Sequence, residues 1–350
     1  MRVMVTGCSG YIGTVMVPML REAGYDVVGM DSDLYSRCTY FGSLPEIPLI
    51  KKDIRDAEIS DLKNLDAILH LAALSNDPLG DLNPQVTFDI NHLASVRLAE
   101  MAKKAGVRRF IFSSTCSVYG ASDDRELTEI STPNPVTAYA ESKLLAERDI
   151  SRLSGSGFAP TFLRSSTAYG VSPRIRFHLV LNNLVAWAYT TGKVMLKSDG
   201  TPWRPIVHIE DIARAFKSVL EADEELVNNQ VFNVGRTGEN YRIRELAEIA
   251  RDAVPGSRVE FAEGAGPDKR NYRVRADKLP GMIPSFRPRW DARKGARELY
   301  AAYRRHGLTL VEFEGPRFKR IEHLKQLLRQ GLVDQSFRPM REVEIPATAG

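Results

Sequence analysis

Apolar residues over the first 165 positions recur with two different periods. Short, continuously apolar runs stand at Val3–Thr6, Val27–Met30, Leu49–Lys51, Ala67–Leu71, Phe110–Ser113 and Thr161–Leu163. Between them, apolar positions three and four apart predict helices over Tyr11–Glu22, Gln85–Lys104 and Ala138–Leu153. A run apolar on both faces suits a strand covered on both faces. Its alternation with helices suits a parallel, doubly wound sheet of the α/β class.

After Arg164 the pattern loosens. It predicts a helix over Ile175–Thr190, a short strand at Val194–Leu196, a turn at Asp199–Pro205 and a helix over Glu210–Ala222. A further pair, Val231–Val234 followed by Ile243–Val254, could extend the main sheet, and residues 255–290, rich in proline and glycine, are expected to be loops. The expected organisation is a first domain over residues 1–170, with 205–240 returning to it. A smaller lobe over 171–340 is woven onto that domain, and 341–350 forms a flexible tail.

Composition narrows the field. The chain has 350 residues, 43% apolar and 26% charged, enough for a sizeable core. Three scattered cysteines, Cys8, Cys38 and Cys116, give neither a disulfide framework nor a metal knuckle, so no metal is expected. No apolar run approaches the roughly 18–20 residues of a membrane span, and the first glycine turn falls where a secretion signal would still be apolar. A cytoplasmic protein without a membrane partner is the expectation. The net charge of +4 is too mild to argue for nucleic acid. Residues 266–330 are more basic, with 17 Lys/Arg against 7 Asp/Glu. That stretch reads either as a solvated face or as an edge facing an anionic ligand such as a diphosphate.

Candidate chemistry starts at the first strand. Thr6-Gly7-Cys8-Ser9-Gly10-Tyr11-Ile12-Gly13 follows it directly and opens a helix. Gly7 permits the sharp turn, Gly10 lets backbone amides approach a diphosphate, and Gly13 lets the helix pack close to the sheet. Asp31, 18 residues past Gly13, ends the second strand. It suits the adenosine ribose hydroxyls of NAD and repels the 2′-phosphate of NADP, although Ser32 and Arg37 leave room for the latter. This is a Rossmann-type arrangement. Farther on, Tyr139 and Lys143 stand four apart, on one face of a helix. A phenol of pKa near 10 is a poor base at neutral pH, and a neighbouring ammonium lowers that pKa. The hydroxyl-rich run 113–120 (Ser-Ser-Thr-Cys-Ser-Val-Tyr-Gly) ends another strand about 24 residues earlier. Strand ends are where open parallel sheets bind ligands, so hydroxyl, phenol and ammonium there describe a hydride-transfer site.

These pieces, with Asp53-Ile54, His70-Leu71-Ala72-Ala73, Asn91 and Arg164, stand in the order and spacing of a known family. The chain resembles the extended short-chain dehydrogenase/reductases, in their nucleotide-sugar epimerase/dehydratase branch. The resemblance implies that Thr115, Tyr139 and Lys143 are catalytic. It implies NAD contacts from Gly7, Gly10, Tyr11, Ile12, Gly13, Asp31, Asp53, Ile54, Ala72, Ala73, Asn91, Ser113, Tyr139, Lys143 and Ser166. It assigns Ser75, Asn76, Thr115, Thr167, Asn183, Arg204 and Arg270 to a nucleotide-diphosphate sugar, Arg204 and Arg270 facing its phosphates. Asp77 fits the same sugar loop or a turn before Pro78. A homodimer through the helices around Gln85–Lys104 and Ala138–Leu153 is implied as well.

One departure bears on the reaction. Relatives that eliminate water carry Asp-Glu after the catalytic threonine, whereas Cys116 and Ser117 stand here. The resulting expectation is an NAD-dependent nucleotide-sugar epimerase acting through a keto-sugar. The alternatives are a ketoreductase or dehydrogenase of such sugars, and a non-catalytic relative that binds NAD or RNA.

Overall fold

The computed structural model describes residues 1–75, 80–120, 125–266 and 271–340. The calls made on Asn76, Asp77, Arg270 and the 341–350 tail lie outside them.

Seven parallel strands form the main sheet. In chain order they are β1 (Arg2–Thr6), β2 (Asp26–Met30), β3 (Leu49–Ile50), β4 (Ala67–His70), β5 (Arg109–Thr115), β6 (Ala159–Ser165) and β7 (Gln230–Val234), and across the sheet they run β7-β6-β5-β4-β1-β2-β3. The order reverses beside β1, which pairs with β2 on one side and β4 on the other, Val3 standing opposite both Val27 and Ala67. Loops leaving β1 and β4 therefore diverge and open a crevice at the carboxyl ends of the strands.

Strand pleating divides the core. Val3 and Val5 of β1 face a cluster with the helices Gly13–Glu22 and Ile209–Glu221, while Met4 faces the opposite cluster. That second cluster includes residues of Ser95–Lys104 and Ala138–Ser151. It also takes Leu324 and Leu327 from the C-terminal helix Arg320–Arg329, which thus leaves the second lobe and returns to the sheet.

The second lobe has its own core between the helices Val180–Thr191, Ile243–Ala253 and Ala292–Arg305. Four details differ from the pattern-based expectation. The helix expected over Gln85–Lys104 is interrupted by a π-turn segment at Asp89–Ala94. Strand Val231–Val234 does join the main sheet, but the helix after it packs in the second lobe. Residues 255–290 contain the strand Arg258–Gly266, paired with Lys193–Ser198; its glutamates and glycines dilute the apolar alternation. The turn at Asp199–Pro205 gives way at Trp203 to the strand Trp203–His208, in which Pro205 stands opposite Asn240.

Candidate active site

A cleft of about 750 Å³ lies along the carboxyl ends of the strands and is walled by both lobes. Gly7, Gly10, Tyr11, Ile12 and Gly13 line it on one side. Gly7 has φ +72°, and a Cβ there would come within 2.8 Å of the Ala72 amide nitrogen. A Cβ on Gly13 would meet the Gly7 carbonyl oxygen at 2.4 Å. No side chain caps the helix that starts at Gly13, and its Thr14, Val15 and Met16 amides donate to the carbonyls of Gly10 and Ile12, which leaves the glycine turn ahead of them clear of side chains. Asp31 accepts from the amides of Ser9 (2.9 Å) and Asp33 (2.7 Å); burial raises its pKa against the pull of those donors. This cradle fits a dinucleotide: bare backbone where a diphosphate lies, a carboxylate where a ribose follows.

Tyr139 and Lys143 enter the cleft from the helix Ala138–Ser151. Thr137 starts that helix by accepting from the Ala140 amide at 3.2 Å. Lys143 is only 2% exposed, and burial pulls its pKa down to about 7 against the opposing charge of Glu147. Its Nζ lies 4.5 Å from the centroid of the Phe112 ring, a contact that favours the ammonium. Glu147, one turn further along, forms a buried pair with Arg164 (2.6 Å) and accepts from the Ser114 hydroxyl. Arg164 also donates to the Tyr119 hydroxyl at 3.1 Å, which donates to Asn233 at 2.8 Å. This network fixes the helix against β5 and β6.

Thr115 ends β5 in the cleft, its hydroxyl oxygen accepting from the Ser117 amide at 3.1 Å. Ser113, Ser166, Thr167, Asp53, Ile54, Ala72, Ala73, Ser75, Asn183 and Arg204 line the cleft too. Asn91 does not. It sits in the π segment behind the wall, fully buried, bonded to both backbone groups of Leu74 and to the Ser142 hydroxyl at 3.2 Å. Its place is that of a support, because its carboxamide is consumed within the protein. Tyr11 lines the cleft, but its hydroxyl turns to the second lobe, donating to the Gly170 carbonyl at 2.7 Å. Cys116 is a packed thiol, raised to about 12 by burial.

Several lining residues carried no signal in the sequence. Arg176 reaches across to Ser75, donating to its hydroxyl at 3.0 Å and to its carbonyl. Arg174 pairs with Asp33 at 3.1 Å and donates to the Tyr35 carbonyl. Tyr35, Arg320 and Phe337 also line the cleft. The buried hydroxyls of Tyr35 and Ser165 have no hydrogen-bond partner among the described residues, as expected of groups that meet a ligand.

Comparison with known proteins agrees with this architecture. The family model described as "NAD dependent epimerase/dehydratase family" matches residues 3–235. UDP-glucose 4-epimerase of Mycolicibacterium smegmatis is 31% identical over 306 residues, 81% of this chain and 94% of that protein. Among solved structures, MoeE5 in complex with UDP-glucuronic acid and NAD superposes with a TM-score of 0.75 at 27% identity, covering 87% of this chain and 99% of its own. DesIV, a dTDP-glucose 4,6-dehydratase from Streptomyces venezuelae with NAD bound, gives 0.75 and 27%, covering 87% and 97%. The fold, the cradle and the match over two thirds of the sequence lead to one conclusion: this chain belongs to the NAD-dependent epimerase/dehydratase family.

Proposed function

We propose that the protein is an NAD-dependent epimerase of a nucleoside-diphosphate sugar, acting through transient oxidation to a keto-sugar. The observation that carries this reading is the convergence of Tyr139, Lys143 and Thr115 on the cleft that the glycine loop lines. NAD, when bound, supplies a reversible hydride acceptor. The remaining work falls to the chain. Thr115 orients the reacting sugar oxygen. Tyr139, stabilised as phenolate by Lys143, takes the hydroxyl proton as the carbon gives up its hydride. It returns the proton after the keto-sugar has turned and received the hydride on its other face, so no net redox change results.

Lys143 is tuned for this role. Burial weakens its hold on a proton, while Glu147 favours the ammonium. Arg204, from the second lobe, lines the cleft, and a guanidinium fork is a geometry suited to a diphosphate. Binding energy from that remote group can hold the sugar in a reactive pose. The relatives support the substrate class: one is a UDP-glucose 4-epimerase and another binds UDP-glucuronic acid. Cys116 and Ser117 offer no carboxyl for removing water, which speaks against the dehydration that DesIV performs.

The test is to incubate NAD-loaded protein with a panel of UDP- and dTDP-hexoses. Product stereochemistry is followed by NMR and reduced nicotinamide by absorbance. An epimerase inverts one carbon with no net NADH. Stoichiometric NADH formation or consumption would replace this reading with a dehydrogenase or ketoreductase.

A further inference from the structure

We propose that the C-terminal segment 317–340 is a strap over the cofactor, with Arg320 and Phe337 contacting the adenosine half of bound NAD. This rests on reading the cleft as the NAD site. The segment lies beyond residues 3–235, the part matched by the family model. MoeE5 and DesIV superpose over 99% and 97% of their own lengths and each covers 87% of this chain.

The segment clasps the adenosine end at three places. Arg317 donates to the carbonyls of Arg37 (2.9 Å) and Thr39 (2.6 Å), in the loop that follows β2 and Asp31. The Arg320 guanidinium lies 4.2 Å from the centroid of the Tyr35 ring and donates to the Arg174 carbonyl at 3.2 Å. Arg338 forms an ion pair with Asp56, two residues after Ile54, and the Asn83 carboxamide donates to the Gln335 carbonyl at 3.3 Å.

Between these anchors, Arg320 and Phe337 face the same cleft as Asp31, Asp53 and Ile54. Phe337 is 3% exposed and holds φ +61°, a conformation unfavourable for a bulky residue, which its surroundings must impose. The Tyr35 hydroxyl, beneath Arg320, is buried without a partner among the described residues. Of the strongly basic stretch 266–330, Arg320 is the cationic side chain that lines the cleft among the described residues. An aromatic ring, a guanidinium-backed tyrosine and a hydroxyl seeking a partner suit a purine nucleoside next to an anionic diphosphate. The strap makes NAD departure depend on lifting 317–340. That suits a cycle which returns its hydride every turnover and has no need to exchange the cofactor.

Two measurements test this on the full chain. Isotope-labelled NAD bound to the parent, to Phe337→Ala and to Arg320→Met is chased with excess unlabelled NAD. Each variant is expected to release label roughly ten-fold faster or more. Separately, AMP alone is expected to slow amide hydrogen exchange across 320–340 in the parent, whereas nicotinamide mononucleotide alone is not. Unchanged release from both variants at stoichiometric NAD, or exchange at 320–340 indifferent to AMP, overturns the strap and leaves the NAD site standing. A parent that binds no NAD removes the cofactor reading, and the strap with it.

Discussion

The Asn91 carboxamide holds both backbone groups of Leu74: Oδ1 accepts from its amide at 2.8 Å, and Nδ2 donates to its carbonyl at 3.1 Å. The same Nδ2 reaches the Ser142 hydroxyl, next to Lys143, so one side chain ties the cleft wall to the helix that carries the phenol and the ammonium. The π turn around Asn91 aims it there.

Asn91→Ala leaves the buried amide and carbonyl of Leu74 without their partners. We expect a loss of about 2–3 kcal/mol in stability, read from urea unfolding. A raised KM for the sugar should accompany it, because Ser75 rides on the same loop.

Lys143 is a buried cation retained against its environment. Replacement by Met removes a charge that burial opposes, so the unliganded variant should be more stable at pH 7, by an amount on the order of 1–3 kcal/mol. Turnover should fall by about 10²–10⁴-fold. Calorimetry and a rate assay on the same preparation check both.

Arg164 and Glu147 form a buried pair beneath the site. Arg164→Met strands the Glu147 carboxylate, and a cost of about 3–5 kcal/mol is expected. The double variant Arg164→Met with Glu147→Leu should recover most of it, as denaturant titration of all three proteins would reveal.

Acid sensitivity has an identifiable source. His70 lies fully buried between Thr6 and Ser95, and burial pushes its pKa down to about 3. The folded state therefore binds that proton less readily than the unfolded chain, whose histidine titrates near 6.5. Stability from this group is complete above about pH 6.5 and declines toward pH 3, by about 1.4 kcal/mol per unit. His70→Gln should flatten the pH dependence of unfolding free energy over that window.

What the sequence disclosed depended on how local the cause was. β1, β2, β4 and β5 are buried on both faces, so their apolar runs are continuous and readable. The glycine loop, Asp31 and the Tyr139/Lys143 pair rest on short spacings along one strand-turn-helix or one helix face. Arg174, Arg176, Arg320 and Phe337 reach the cleft through packing of distant segments, so nothing near each of them in sequence marks it. Asn91 was noticed for its neighbourhood, but its bonds to Leu74 and Ser142 depend on the π interruption, which local spacing does not reveal. The strand Arg258–Gly266 was hidden by its glycines and by a partner, Lys193–Ser198, some 65 positions away.

The most direct test of the central claim is Tyr139→Phe, loaded with NAD and given the nucleotide sugar that the parent converts. The account expects stoichiometric NAD, an unchanged fold and a rate at least about 10²-fold lower. A variant that epimerises the sugar at close to the parental rate would contradict it.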